Sequence, residues 1–121
     1  MMSRGLSKMK VKNIIEALLA KTNIPFTERR WNEYKDRSIP SPPYIVWFVE
    51  VEEGFGADEK VLAKQSTVTV ELYADTRDYE SEKVVEDVIA PYEWTKYIGE
   101  IEDESLIYVS YTFDLYTKKG D

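Results

Sequence analysis

From Leu106 to Thr117 apolar and polar residues alternate. Ile107, Val109, Tyr111, Phe113 and Leu115 fall on one side, and Tyr108, Ser110, Thr112, Asp114 and Tyr116 on the other. A period of two sustained over that length defines a strand with one buried face and excludes a helix, whose apolar positions recur every 3.6 residues. Such a strand needs neighbouring strands and a second layer against its apolar side. The stretch from about Lys64 to Ala74 repeats the pattern, with Val68, Val70 and Leu72 on one face and Thr67, Thr69, Glu71 and Tyr73 on the other. Tyr44 to Val49 is a continuous aromatic and β-branched run, predicting a strand buried on both faces, or on one with a partner over the other. Pro40, Pro42 and Pro43 impose an extended or turn entry to it. Thr95 to Ile101 predicts a fourth strand, joined to the last by a tight turn at Glu102-Asp103-Glu104-Ser105.

The second layer is supplied by two amphipathic helices. Val11, Ile14, Ile15, Leu18 and Leu19 form one stripe at helical spacing, predicting a helix from about Ser7 to Lys21. Ser7 is placed to cap it, Lys21 sits in the last turn, and Pro25 blocks continuation. Asp75-Thr76-Arg77-Asp78 supplies turn and cap residues for a second helix running to about Ala90, with Val84, Val85, Val88 and Ile89 as its stripe and Pro91 as its stop. A short extended piece fits Phe26 to Trp31, and Glu52 to Lys60, carrying Gly54, Phe55 and Gly56, reads as a loop. The expected fold is α+β: a two-layer sandwich of a mainly antiparallel four-stranded sheet with two helices packed on one face. Residues 1–121 form one expected domain, with 1–6 and 118–121 as flexible ends.

Among the 121 residues there is neither Cys nor His. That removes disulfides, thiolate nucleophiles, imidazole bases and the usual N/S zinc site. Carboxylates cluster at Asp58-Glu59, Asp75/Asp78 and Glu102-Asp103-Glu104, all in polar turns. A magnesium-dependent hydrolase would need them convergent beside a lysine, and Asp58-Glu59-Lys60 is the nearest fragment. Gly54-Phe55-Gly56 lacks the Gly-Lys-Ser/Thr of a phosphate loop. The reading is therefore no enzyme, with no catalytic, cofactor-binding or metal site.

Charge is distributed unevenly around a net of −7. Residues 1–40 carry nine Lys/Arg against four Asp/Glu, net +5; the remainder carries seven against nineteen, net −12. The asymmetry fits either a basic arm that meets an acidic surface or two solvated faces. The chain as a whole repels polyanions, so specific nucleic-acid binding is not expected. Val11 to Ala20, broken by Lys12, Asn13 and Glu16, is no membrane span; no membrane partner is expected, and the default compartment is the cytoplasm.

Folded as a sandwich, the chain would turn Val68, Val70, Leu72, Val109, Tyr111 and Phe113 toward the helices. The other face would show Thr67, Thr69, Tyr73, Tyr108, Thr112 and Tyr116, with one side of Tyr44–Val49. A face rich in aromatics and poor in charge has the composition of an interface core, although Tyr and Thr also suit a solvated sheet. Phe55, flanked by two glycines, would either fold back on the core or insert into a neighbouring subunit.

Three stretches carry a family resemblance. They are Pro42-Pro43-Tyr44-Ile45-Val46-Trp47 ahead of a Gly-containing loop with Ala57-Asp58; Val70-Glu71-Leu72-Tyr73-Ala74-Asp75-Thr76-Arg77-Asp78; and Ile101-Glu102-Asp103-Glu104-Ser105-Leu106-Ile107-Tyr108 running into Tyr111-Thr112-Phe113-Asp114-Leu115. Over about Val11 to Lys118 the chain resembles small tail proteins of long-tailed phages and prophages of Gram-positive bacteria, of the tail-terminator or head–tail joining kind. The resemblance implies a non-enzymatic virion assembly protein, made in the bacterial cytoplasm. It would form a ring homo-oligomer, a hexamer, that terminates the tail tube and joins it to the head. Its partners would be itself, the tail tube and head–tail connector proteins. Trp47, Phe48, Phe55, Tyr73, Tyr108 and Tyr116 are the candidate interface residues, with Arg29 and Arg30 as a basic patch. The alternative is a small adaptor or antitoxin-like module that binds one cellular partner as a monomer or dimer.

Overall fold

The computed structural model describes residues 2–31, 39–57 and 60–118, and the side chains of these except 2–9, 55, 57, 60–62 and 118. The chain runs α1 (Met2–Ala20), β1 (Phe26–Glu28), β2 (Tyr44–Ala57), β3 (Lys60–Ala74), α2 (Tyr79–Ile89), β4 (Trp94–Ile101) and β5 (Leu106–Lys118). Helix α1 starts at Met2, so Ser7 lies inside it rather than at its cap. Nothing in Met2–Lys10 stops a helix except Gly5, whose cost of about 1 kcal/mol is small enough for the flanking helix formers to override. The far end closes on Thr22, whose hydroxyl donates to the Leu19 carbonyl (2.6 Å) and accepts from the Ile24 amide (3.1 Å). Asn23, tolerant of the left-handed region, turns the chain there (φ 60°). Pro25 then follows the turn, as its missing N–H requires.

Helix α2 is capped by Asp78, whose carboxylate accepts from the Ser81 amide at 3.0 Å. Its inward side carries Val85 and Ile89, fully buried, with Glu82; Val84, expected in the apolar stripe, is exposed.

The five strands form one mixed sheet in the order β1-β2-β3-β5-β4. The sheet thus holds five strands, not four, because β1, the short extended piece, pairs with β2, and does so in parallel. Every other pairing is antiparallel. A second correction concerns Glu52–Lys60. Most of that stretch is strand: β2 continues to Ala57 and β3 begins at Lys60, their ladder running through Gly54↔Lys64 to Ala57↔Lys60. The β5 ladder reaches only Ala63↔Lys118, so the β2–β3 ribbon extends beyond the sheet as an arm. The β2–β3 ladder has register shifts between Val49 and Val51, inside the sheet, and between Phe55 and Gly56, where the ribbon passes the end of β5.

Both helices pack on one face. The core joins Val11, Ile15 and Leu19 of α1 and Val85 and Ile89 of α2 to Ile45, Trp47, Val68, Val70, Leu72, Val109, Tyr111, Phe113 and Leu115 of the sheet. Register decides these faces. Trp47 pairs with Val70 and Val70 with Tyr111, so all three point at the helices.

Candidate interaction surface

The face opposite the helices carries an aromatic ladder. Tyr44, Tyr73 and Tyr108 lie side by side on β2, β3 and β5, and the next position in the row, on β4, is Gly99. Tyr44 and Tyr73 stack nearly parallel, their centroids 5.1 Å apart. Tyr108 follows at 6.0 Å and Tyr97 of β4 at 6.2 Å. At the other end Trp31 meets Tyr44 edge-on at 6.4 Å. These separations lie within the range where aromatic pairs attract beyond simple burial.

Gly99 makes room for the ladder. A Cβ there would stand 2.4–2.6 Å from the ring tip of Tyr108, closer than any real carbon contact, so the ring lies across the glycine. Close approach, rather than a special backbone angle, is what the position requires.

Polar groups fill the rest of the face. The Tyr73 hydroxyl donates to Glu71 at 2.9 Å. Burial and that carboxylate together push the phenol well above its ordinary value of 10, and burial, with Glu104 nearby, moves Tyr44 the same way. Thr69 donates to Glu50 and lies 3.2 Å from the Thr112 hydroxyl, while Thr67 donates to Asp114 at 2.8 Å.

The sequence-derived candidates separate here. Tyr73 and Tyr108 are half-buried in the ladder, Phe48 is half-buried beside Thr69, and Tyr116 stands 64% exposed. Trp47 is a correction: it is 1% exposed in the core on the helix side, since the alternation that turns Phe48 outward must turn Trp47 inward. Arg29 and Arg30 are exposed just after β1. The backbone of Phe55 pairs with Ala63 in the arm, and its side chain lies outside the described residues, as do Asp58-Glu59 and 119–121.

Two features escaped the sequence reading. One is the extent of the ladder, since Trp31, Tyr44 and Tyr97 join it only through strand order. The other lies on the covered side. Glu82, with a side chain 4% exposed, receives Arg77 through two hydrogen bonds of 2.9 Å and Lys96 at 2.8 Å. Lys96 also reaches Glu86 at 2.7 Å, and the buried Tyr111 hydroxyl donates to Glu86 at 2.8 Å. The Arg77 hydrogen bonds hold the Glu82 carboxyl below the usual range, and burial beside Glu86 pushes the Tyr111 phenol upward. A signal was present: Glu82 and Glu86 sit four apart on one helix face, a like-charge spacing that is unfavourable unless a cation lies between them.

No group of three or more His, Cys, Asp or Glu side chains converges as a metal site among the described residues. A cleft of about 420 Å³ between Pro42–Pro43 and the start of α2 is lined in part by Asp75, Arg77 and Asp78. Arg77 is bound to Glu82 and Asp78 caps α2, so both groups serve the fold. No described helix is long and apolar enough to cross a membrane. No protein-family model matches the chain, and comparison with curated proteins finds no relative.

Proposed function

We propose that this chain is a non-enzymatic self-assembling structural protein, of the tail-terminator or head–tail joining kind that its sequence resembles. The observation that carries the reading is the sheet face turned away from the helices, which buries Tyr44, Val46 and Thr69 but exposes aromatics on β4 and β5. A two-layer domain leaves one side of its sheet without helices, and here that side holds a five-aromatic ladder ending in Tyr97, 64% exposed, with Tyr116 equally exposed on β5. Exposed aromatics on a face whose charges are mostly hydrogen-bonded are what a subunit contact uses. The end of the β2–β3 ribbon, which runs on past the last rung of β5, offers a second contact. In a virion, such subunits would close into a ring on the end of the tail tube, and the ring would present the docking surface for the head.

Light scattering on size-exclusion fractions, across a concentration series, tests this reading. A mass of six chains, or a rise toward it with concentration, is the expected result, and added tail tube protein should promote it. A strict monomer under all these conditions overturns self-assembly and leaves the adaptor reading.

A further inference from the structure

The two edges of the sheet are unlike, and they match each other. One is β1, three residues long; the other is β4, eight residues long. Neither has a partner strand on its outer side among the described residues. Three relations connect them.

The first is sense. β1 runs parallel to β2, and three antiparallel pairings separate β2 from β4. β4 therefore runs opposite to β1. A second copy related by rotation about an axis along the strands would set its β1 antiparallel to the first copy's β4, the pairing of edges that hydrogen-bonds squarely.

The second is level. One row of paired residues crosses all five strands: Phe26, Ile45, Leu72, Val109 and Ile98. The next rows end in Thr27 and Tyr97, and in Glu28 and Lys96. β1 thus stands at the height of the middle of β4, and the two edges meet with no displacement along the strands.

The third is charge. At the β1 edge Arg29 and Arg30 are exposed, while Lys12 is paired with Glu28 at 3.3 Å and Glu16 at 3.9 Å. Arg29 is held there: its amide donates to the Trp47 carbonyl (2.7 Å) and its guanidinium to the Val49 carbonyl (3.3 Å). At the β4 edge Glu93 is exposed on the side of the aligned rows toward which Arg29 and Arg30 continue, with Glu100, Glu102 and Asp103 exposed toward the other end, while Lys96 is occupied by Glu82 and Glu86. Tyr97 and Ile98, 64% and 42% exposed on β4, supply apolar surface to bury.

We propose that the β1 edge of one copy docks on the β4 edge of a second, extending the sheet head to tail with the basic end against the acidic end. Unlike edges cannot pair isologously, so the contact repeats around a ring instead of stopping at a dimer. The backbone ladder is short, since β1 has three residues and the Glu28 carbonyl already accepts from the Arg30 amide at 2.8 Å, so charge complementarity and the burial of Tyr97 and Ile98 set the affinity and the order of subunits. This inference rests on the self-assembly reading and names the surfaces that perform it.

The test is a charge exchange on the full chain, read by light scattering. Arg29→Glu with Arg30→Glu reverses one edge, and Glu93→Lys, at the exposed carboxylate beyond Lys96 on the side of Arg29 and Arg30, reverses the other. Each variant alone should fall to the monomer mass where the wild type assembles, and an equimolar mixture should regain the wild-type mass. Because Arg29 also holds the β2 edge, Arg30→Glu alone serves as the second basic-edge variant, with thermal melts confirming that each variant folds. If the wild type assembles and both reversed variants assemble equally well, the edge contact is wrong and self-assembly stands on another surface. Folded variants that dissociate but are not restored by mixing also overturn the head-to-tail pairing. A wild type that stays monomeric throughout overturns the contact and the self-assembly reading together.

Discussion

One sheet here has two faces built from similar residue types for different ends. Tyr111 and Trp94 on the covered side meet edge-on at 5.4 Å, with the Tyr111 hydroxyl consumed by Glu86 beneath α2. Tyr73 and Tyr108 on the uncovered side meet at 6.0 Å, with the Tyr73 hydroxyl on Glu71, a neighbour two residues away. Covered-face contacts tie together elements distant in sequence, so losing one loosens the whole domain. The open face joins strands that the backbone ladder already holds, so its aromatics are freer to serve a neighbour. Residue type did not make that difference. The second layer did, by tying one side to the helices, whereas the other side buries Tyr44, Val46 and Thr69 and leaves Tyr97 and Tyr116 exposed.

Substitutions on the two faces should therefore fall on different scales in urea unfolding. The largest effect is expected for Trp47→Ala, which empties the largest fully buried side chain; it should cost about 3–5 kcal/mol. Glu82→Ala should follow at about 3 kcal/mol, the low end for losing one partner of a buried ion pair, because both cations keep part of their surface in water.

Gly99→Ala is the sharpest test of the open face. It should cost about 1–2 kcal/mol through overpacking against Tyr108. Adding Tyr108→Ala should cancel much of that cost, so the pair should be non-additive in a double-mutant cycle. Additive costs would show that the ladder is not what the glycine accommodates. Smallest of all, Tyr97→Ala and Tyr116→Ala should each change monomer stability by no more than about 0.5 kcal/mol. If either changes it as much as Trp47→Ala does, the contrast between the faces fails.

The pH dependence separates the faces at one end of the scale and unites them at the other. The Glu82 carboxyl is lowered in the folded chain, so its contribution is present above the ordinary carboxylate range and is lost as pH falls through the folded value. Glu82→Gln should therefore flatten the acid limb of the urea midpoint, a covered-face effect. Tyr111 and Tyr73, one on each face, are both raised, so above pH 10 the unfolded chain ionises tyrosines that the folded chain keeps neutral. Stability should fall there, and Tyr73→Phe and Tyr111→Phe should each soften the fall.

Much of this was legible locally. The alternation in β3 and β5 assigned Val68, Val70, Leu72, Val109, Tyr111 and Phe113 to the helix side, and the structure places all six in the core. Val11, Ile15 and Leu19 followed from helical spacing in the same way, and Asp78 from its place before α2. Glu52–Ala57 was misread because two glycines and a run of acids have the composition of a loop, yet a long ladder can carry glycines once its partner strand is in place.

The sequence by itself determined where most of the strands and helices lie, the Glu52–Ala57 stretch and the start of α1 excepted, and, wherever a period was clean, which residues of each share a face, because periodicity is a property of neighbours along the chain. Only the tertiary structure decided the parallel β1, the inward turn of Trp47, the place of Glu82 between Arg77 and Lys96, and the alignment of Tyr44, Tyr73, Tyr108 and Gly99 in one row. Each of these depends on strand order and register. Both are set by the burial of the whole apolar surface at once, a sum over pairs far apart in sequence that no local pattern encodes.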